Sequence, residues 1–127
     1  MRMKLVATAA AVAAALLAMA RAEAQAVGGS YAVSGTNFDG SPYTGSAVIT
    51  PSGPAAHNAA CRIEWRTGGT QSSGFCMISG DSLAAAYRLG NSVGLVLYQL
   101  QPDGSLNGVR TLADKPGQGT ERLAPVQ

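Results

Sequence analysis

Short runs in which apolar and polar residues alternate recur along most of the chain, and glycine, proline and asparagine separate them. The clearest run covers residues 60–66, where Cys61, Ile63 and Trp65 alternate with polar neighbours. A period of two residues is typical of a half-buried β-strand. Similar patterns predict further strands over residues 30–34, 43–50, 74–78, 93–100, 105–112 and 120–123. The Pro- and Gly-containing segment 113–119 is predicted to be a loop.

Residues 82–89 fit two kinds of element. A short helix would stack Leu83 on Tyr87 at i,i+4 and end at Gly90. A strand would place the alternating apolar residues from Leu83 to Leu89 on one face. We favour the strand, because the neighbouring segments on both sides are predicted strands. About eight short strands predict an all-β fold: a small antiparallel up-and-down β-barrel, or alternatively a small β-sandwich.

Residues 1–26 break this pattern and predict a cleaved secretory signal peptide. Basic residues precede sixteen uncharged, alanine-rich residues at 5–20, and small-x-small patterns place cleavage after Ala24 or Ala26. A membrane anchor is the alternative, but the run is shorter than the ~20 residues of a spanning helix. We therefore expect an exported protein, periplasmic or extracellular, in which residues 27–127 form a single barrel domain without a membrane span.

Two cysteines lie symmetrically about a predicted hairpin turn. The midpoint between Cys61 and Cys76 falls between Gly68 and Gly69, so a turn there sets the two cysteines opposite each other. Export makes a disulfide between them the favoured interpretation. A redox or metal-binding pair is the weaker alternative, because the two isolated cysteines lack CxxC spacing.

The charge of the predicted mature chain argues against nucleic acid as a partner. The whole chain carries a formal charge of +2, but three basic residues and one acidic residue lie in the predicted signal. The remaining six basic and six acidic residues balance. Binding to a phosphate backbone needs clustered Lys and Arg, whereas these six basic residues are scattered.

The sequence offers no convincing catalytic or metal-binding motif. The single histidine, His57, lies in a Pro-, Ala- and Asn-containing loop, and an exposed loop histidine is the favoured interpretation. Asp-Gly-Ser turns start at Asp39 and Asp103, but neither has the further oxygen ligands of a calcium loop. We therefore predict a protein that is not an enzyme and needs no metal or cofactor. The similar residues around these two turns predict two hairpins with related turn geometry.

Two groups of apolar residues are candidate binding sites. Inward-facing aromatics would either simply pack the core or line a lumen that holds a small apolar ligand, since eight strands allow both. These candidate lumen residues are Trp65, Tyr31, Tyr87 and Tyr98. A second group lies in a predicted turn and would form a surface contact. Its members are Phe38, Pro42 and Tyr43.

The spacing of turn glycines and aromatic residues also resembles a known group of proteins. Residues 31–45 follow the pattern Y-x-V-x-G-T-N-x-D-G-S-x-Y-x-G, and further matching segments lie at 94–98, 103–108 and 117–121. The pattern resembles small exported bacterial proteins labelled "fibronectin-binding protein" or uncharacterised. This resemblance implies the fold and an extracytoplasmic binding role. One departure is that Val109 and Arg110 stand where relatives often carry an aromatic residue.

Three hypotheses about function follow. The leading one is an exported, non-enzymatic binding or adhesion module for an unknown protein. The second is a barrel whose lumen carries a small apolar ligand. The third is an inhibitor of an envelope hydrolase, which small size and a rigid disulfide hairpin would suit.

Overall fold

The computed structural model describes residues 26–53 and 58–126, which form a closed, all-β barrel of eight antiparallel strands without a helix. Each strand pairs with the next in the sequence, and the last pairs with the first. The barrel is therefore the correct alternative and the sandwich is not. The strands are β1 (Gly29–Thr36), β2 (Pro42–Pro51), β3 (Asn58–Thr67), β4 (Thr70–Ser79), β5 (Ser82–Leu89), β6 (Ser92–Leu100), β7 (Leu106–Leu112) and β8 (Lys115–Pro125).

The ambiguous segment 82–89 is strand β5, as alternation predicted. Leu83, Ala85 and Tyr87 are buried on its inner face. The prediction of a loop over 113–119 is wrong, because β8 already begins at Lys115. The pairing of β7 with β8 is irregular there. Such a stretch tolerates Pro116, because the missing N–H of a proline interrupts no regular hydrogen bond between the two strands.

Inward side chains fill the lumen over most of its length. The side chains that solvent barely reaches come from nearly every strand and form one apolar core. Such close packing leaves little void and stabilises the barrel through the apolar area removed from water. The largest of these fully buried residues are Tyr98, Ile49, Ile63, Leu83, Leu106 and Leu123. The filled part of the lumen includes the disulfide.

The β3–β4 hairpin turns at Gly68 and Gly69, as predicted. Their φ angles are 55° and 81°, and positive φ at both central residues is the requirement of a two-residue type I′ turn. This turn sets the register that places Cys61 opposite Cys76. The two cysteines form the predicted disulfide, with their Cα atoms 4.8 Å apart. A disulfide is compatible with an oxidising, exported location.

The two Asp-Gly-Ser turns have the same hydrogen-bonding pattern, which confirms the predicted relation between their hairpins. In each, the aspartate Oδ1 accepts hydrogen bonds from the backbone N–H and the hydroxyl of the serine two residues later. Gly40 and Gly104 follow these aspartates with φ of 88° and 86°, a conformation that favours glycine. Each turn therefore depends on its aspartate, glycine and serine together.

Two predictions concern residues outside the described ranges: the signal peptide over 1–26, of which only residue 26 is described, and the loop histidine His57. Within the described ranges, no helix is long and apolar enough to cross a membrane.

Removing the disulfide is expected to weaken the fold. In the double variant Cys61→Ala/Cys76→Ala, the unfolded chain regains the freedom of a 15-residue loop, and the free energy of unfolding should fall by about 3 kcal/mol. Urea unfolding followed by Trp65 fluorescence measures this change. Reduced wild-type protein is the matched control, because it loses the cross-link but keeps both sulfur atoms. An unchanged midpoint in both samples would contradict the prediction.

Candidate functional site

One end of the barrel carries an open cup above the filled core. The strands reach this end at the β1–β2, β3–β4, β5–β6 and β7–β8 turns. The cup has a volume of about 280 Å³, at the small end of the range for ligand pockets. Aromatic and aliphatic walls combine with a few polar groups. The main side chains around it are Asn37, Tyr43, Trp65, Ser72, Tyr87, Leu89, Val96, Arg110 and Glu121.

The floor of the cup is organised around the buried carboxylate of Glu121, which is 6% exposed. Its Oε2 accepts hydrogen bonds from Tyr98 Oη and, at 3.0 Å, from Trp65 Nε1. Its Oε1 accepts a 2.8 Å bond from Tyr43 Oη. A buried charge is costly unless hydrogen bonds compensate it, and three donors do so here. These contacts join β8 to β2, β3 and β6 across the lumen.

The rim of the cup holds the Arg110 guanidinium between two aromatic rings. The Arg110 Cζ atom lies 5.1 Å from the ring centroid of Phe38 and 5.0 Å from that of Tyr43, within the range of cation–π attraction. Arg110 Nε donates a 2.9 Å hydrogen bond to Tyr43 Oη. One terminal nitrogen also reaches the carbonyl of Thr36 and the side chain of Asn37. The guanidinium is thereby held in place at the mouth of the barrel.

Three tyrosine rings at or near the cup each lie over a glycine in the neighbouring strand. The cross-strand pairs are Tyr43 with Gly35, Tyr87 with Gly94, and Tyr98 with Gly108. A Cβ atom built on any of these glycines would come within 2.6 Å of the paired ring. The absence of a side chain thus lets each ring lie against the barrel wall. The hydroxyl groups of Tyr43 and Tyr98 thereby reach Glu121, and that of Tyr87 donates to the carbonyl of Thr111.

The tyrosines that bond to Glu121 are held in their neutral form. Burial, together with the negative charge of Glu121, raises the pKa of Tyr98 well above its ordinary value of 10.0. The half-buried Tyr43 has its pKa raised by burial and by Glu121, although Arg110 acts in the opposite direction. Neutral hydroxyl groups can donate to a carboxylate, so the raised pKa values preserve the floor of the cup.

The structure brings some of the predicted site residues together and separates others. Trp65 and Tyr87 both line the cup, with their ring centroids 5.5 Å apart in an edge-to-face arrangement. Tyr98 is buried and touches Glu121 in the floor. Tyr31 is also buried, but its hydroxyl group bonds to Gly28 near the start of β1, at the opposite end of the barrel.

The predicted surface group is divided as well. Phe38 and Tyr43 flank Arg110 and so belong to the rim of the cup. Pro42 is the exposed first residue of β2 and pairs with Thr36.

Glu121 and Arg110 are the two site residues that sequence reasoning missed. Glu121 shares the inner face of β8 with Leu123, and Arg110 follows Leu106 and Gly108 at a spacing of two residues. The signal available in the sequence was a charged residue that occupies the same face of the strand as the buried leucines, at a spacing of two residues. The contacts with Trp65 and Tyr43 depend on closure of the barrel, which the local pattern does not reveal.

The arrangement places a hydrogen-bonded carboxylate and a fixed cation beside aromatic walls. The three donors on Glu121 occupy its carboxylate, and Arg110 presents a fixed cation beside aromatic walls. Among the described residues, no group of three or more His, Cys, Asp or Glu side chains is placed to hold a metal ion.

Comparison with known proteins yields no matching family model, no matching curated protein and no matching solved structure.

Removing the Tyr98 hydroxyl is expected to destabilise the floor. In Tyr98→Phe, the buried carboxylate loses one donor, and a hydrogen bond to a charged group contributes about 1.5–3 kcal/mol to the free energy of unfolding. Urea denaturation measures the loss. Tyr31→Phe is the matched control, since that hydroxyl bonds only to neutral backbone groups and should cost about 0.5–1.5 kcal/mol. Equal losses in the two variants would contradict the assigned role of Tyr98.

Stability is expected to fall at alkaline pH. Above the ordinary tyrosine pKa of 10.0, Tyr98 and Tyr43 ionise in the unfolded chain but keep their protons in the folded barrel. The unfolded state then binds fewer protons, so the free energy of unfolding decreases as pH rises. Urea midpoints measured on both sides of pH 10 should show this decline, with a shallower slope in Tyr98→Phe. An identical slope in that variant would contradict the prediction.

Proposed function

We propose that the protein is an exported, non-enzymatic binding protein whose cup takes a small amphipathic ligand bearing a carboxylate. The observation that carries this proposal is the Arg110 guanidinium, held at the mouth between Phe38 and Tyr43 and facing a cavity with aromatic walls. Ligand sites commonly combine a concave apolar surface with a few fixed polar groups.

The apolar part of the ligand would contact Trp65, Tyr87 and Leu89. The core below these residues is filled, so the ligand would enter only the end of the barrel and would stay partly exposed. This favours a compact molecule, such as one aromatic ring or a short aliphatic group, over a long chain threaded through the lumen. The proposal therefore modifies the lumen-carrier hypothesis rather than adopting it unchanged.

The charge distribution favours an anionic group on the ligand. Three donors from the protein already satisfy Glu121, and Tyr43 lies between that carboxylate and Arg110. Among the described residues, the ion pair within 4.0 Å joins Arg122 to Asp103, so no carboxylate pairs directly with Arg110. Arg110 Nε and one terminal nitrogen already donate within the protein, and the other terminal nitrogen would donate a charge-assisted hydrogen bond to a ligand carboxylate.

The adhesion hypothesis assigned the turn around Phe38 to a surface contact with a partner protein. Two of its three residues instead hold Arg110, which favours a ligand at the cup over a macromolecule on the outside of this turn. The resemblance to proteins labelled as fibronectin-binding supports only the broader idea of an extracytoplasmic binding role. The disulfide hairpin that motivated the inhibitor hypothesis is present, but its cysteines are buried in the core and present no surface to an enzyme.

A titration with small carboxylates tests the proposal. We expect phenylacetate or cyclohexylacetate to change the fluorescence of Trp65, the single tryptophan, in a saturable manner. The neutral amides of the same compounds should bind more weakly, by about tenfold or more, because they lose the charge-assisted contact. Arg110→Met should remove this preference for the acid and keep the aromatic walls.

Arg122→Met is the matched control, because Arg122 lies on the outer face of β8 and is exposed. It should leave both affinities unchanged. The proposal fails if neither acid nor amide perturbs Trp65, or if Arg110→Met retains the preference for the acid. Far-ultraviolet circular dichroism of each variant verifies that the barrel is intact.

A further inference from the structure

The outer wall of the barrel has an apolar patch on β4–β7 that the proposed ligand site does not use. Five large side chains on this wall are between 47% and 66% exposed. They are Phe75, Met77, Leu95, Leu97 and Val109. The facing wall is different, since outward positions of β1 and β2 are mostly serine, threonine and alanine. Apart from Val48 on β2, which is 43% exposed, the large exposed apolar side chains on the outer faces of the described strands lie on one side of the molecule, which we call the β4–β7 wall.

The β4–β7 wall has a definite relief. On β5, the outward residues Ala84 and Ala86 form a shallow groove. The strand register places Phe75 opposite Ala86 and Met77 opposite Ala84. These two larger side chains form a ridge along one side of the groove. On the other side, the same two alanines lie opposite Leu97 and Leu95, which form a second ridge. The groove is part of a depression of about 610 Å³ that continues past Leu95 and Leu97 to Val109, Arg110 and Thr111 of β7.

The size of the patch matches what the centre of a dimer interface needs. From their exposed fractions, the five side chains present roughly 500 Å² of surface, near the upper end for the largest patch on a typical monomer. A standard interface buries about 800 Å² per partner, with a largely apolar centre and a polar rim. Exposed polar residues border this patch and would supply such a rim. They are Arg62, Ser73, Arg88, Gln99 and Asn107.

We propose that the β4–β7 wall binds the same wall of a second copy of this chain and forms a symmetric homodimer. A twofold interface requires a self-complementary surface, and this wall carries both a groove and the ridges that fit it. The ridge of one copy would fill the alanine groove of the other, at the ~10 Å spacing of stacked sheets. The closed barrel has no free strand edge, so association must proceed through side chains rather than added strands.

This arrangement leaves the proposed ligand site open, although Arg110 lines both the cup and the β7 end of the outer depression. The patch lies on the side of the barrel and the cup opens at one end, so both cups of the dimer would remain accessible. A lipid surface or an acyl chain is a different occupant that would also bind apolar residues. An acyl chain would fill the groove but leave the two ridges in water, and a lipid surface would contact the ridges without filling the groove, which is why the second copy is favoured.

Sedimentation analysis of the protein produced from the full chain tests this proposal. We expect the mass of a dimer at concentrations on the order of 10 µM and above, since typical homodimers with standard interfaces associate in this range or tighter. Ala84→Gln places a longer polar side chain in the groove. It should raise the dimer dissociation constant by about tenfold or more, which corresponds to about 1.4 kcal/mol.

Ala32→Gln is the matched control, because Ala32 is an exposed outward residue of β1, on the far side of the barrel. It should leave the dimer intact. The proposal is overturned if the wild-type protein is a monomer up to about 100 µM, or if Ala84→Gln dimerises as well as Ala32→Gln. Co-sedimentation of a monomeric wild-type protein with phosphatidylglycerol vesicles would also overturn it, in favour of a lipid surface. Carboxylate binding at the cup is measured separately and does not depend on these outcomes.

Discussion

The buried carboxylate of Glu121 is the interaction on which the organisation of the barrel end depends. An ionised carboxylate removed from water is very unfavourable unless its oxygen atoms are hydrogen-bonded. Here the donors come from Tyr43, Trp65 and Tyr98, on three other strands. The need to satisfy this single group therefore fixes the positions of three aromatic rings. Those rings separate the filled core below from the open cup above, so a polar constraint determines where the lumen becomes accessible.

The glycines opposite the tyrosines are the second part of the same arrangement. A ring can lie flat against the wall only if the residue beneath it has no side chain, as at Gly94 and Gly108. Glycine weakens an isolated strand, because it adds conformational entropy to the unfolded chain and packs little surface. An aromatic ring from the neighbouring strand covers that exposed backbone. The pairs thus offset the cost of the glycines and set the depth at which the tyrosine hydroxyl groups lie.

The sequence was most informative where structure follows from neighbouring residues. Alternation identified the strands, including β5, and the symmetric placement of Cys61 and Cys76 about a Gly-Gly turn predicted their bond. It was less informative about β8, where Pro116 and nearby glycines suggested a loop, although the strand starts at Lys115. The site was predicted only in part. Trp65 and Tyr87 were identified as inward aromatics, whereas the role of Glu121 depends on a partner 56 positions away, which only barrel closure brings near.

Closure by the last strand has a consequence for how this protein is made. Glu121 lies on β8, which pairs with β1 although the two strands are the last and the first of the described sequence. A ribosome or an export channel that releases the chain from its N-terminus delivers β8 after every other strand. Until then, the growing chain has two unpaired sheet edges and lacks the carboxylate that organises the cup. The organised barrel end therefore forms only after β8 has been released, and a product that ends before β8 would be an open sheet without Glu121.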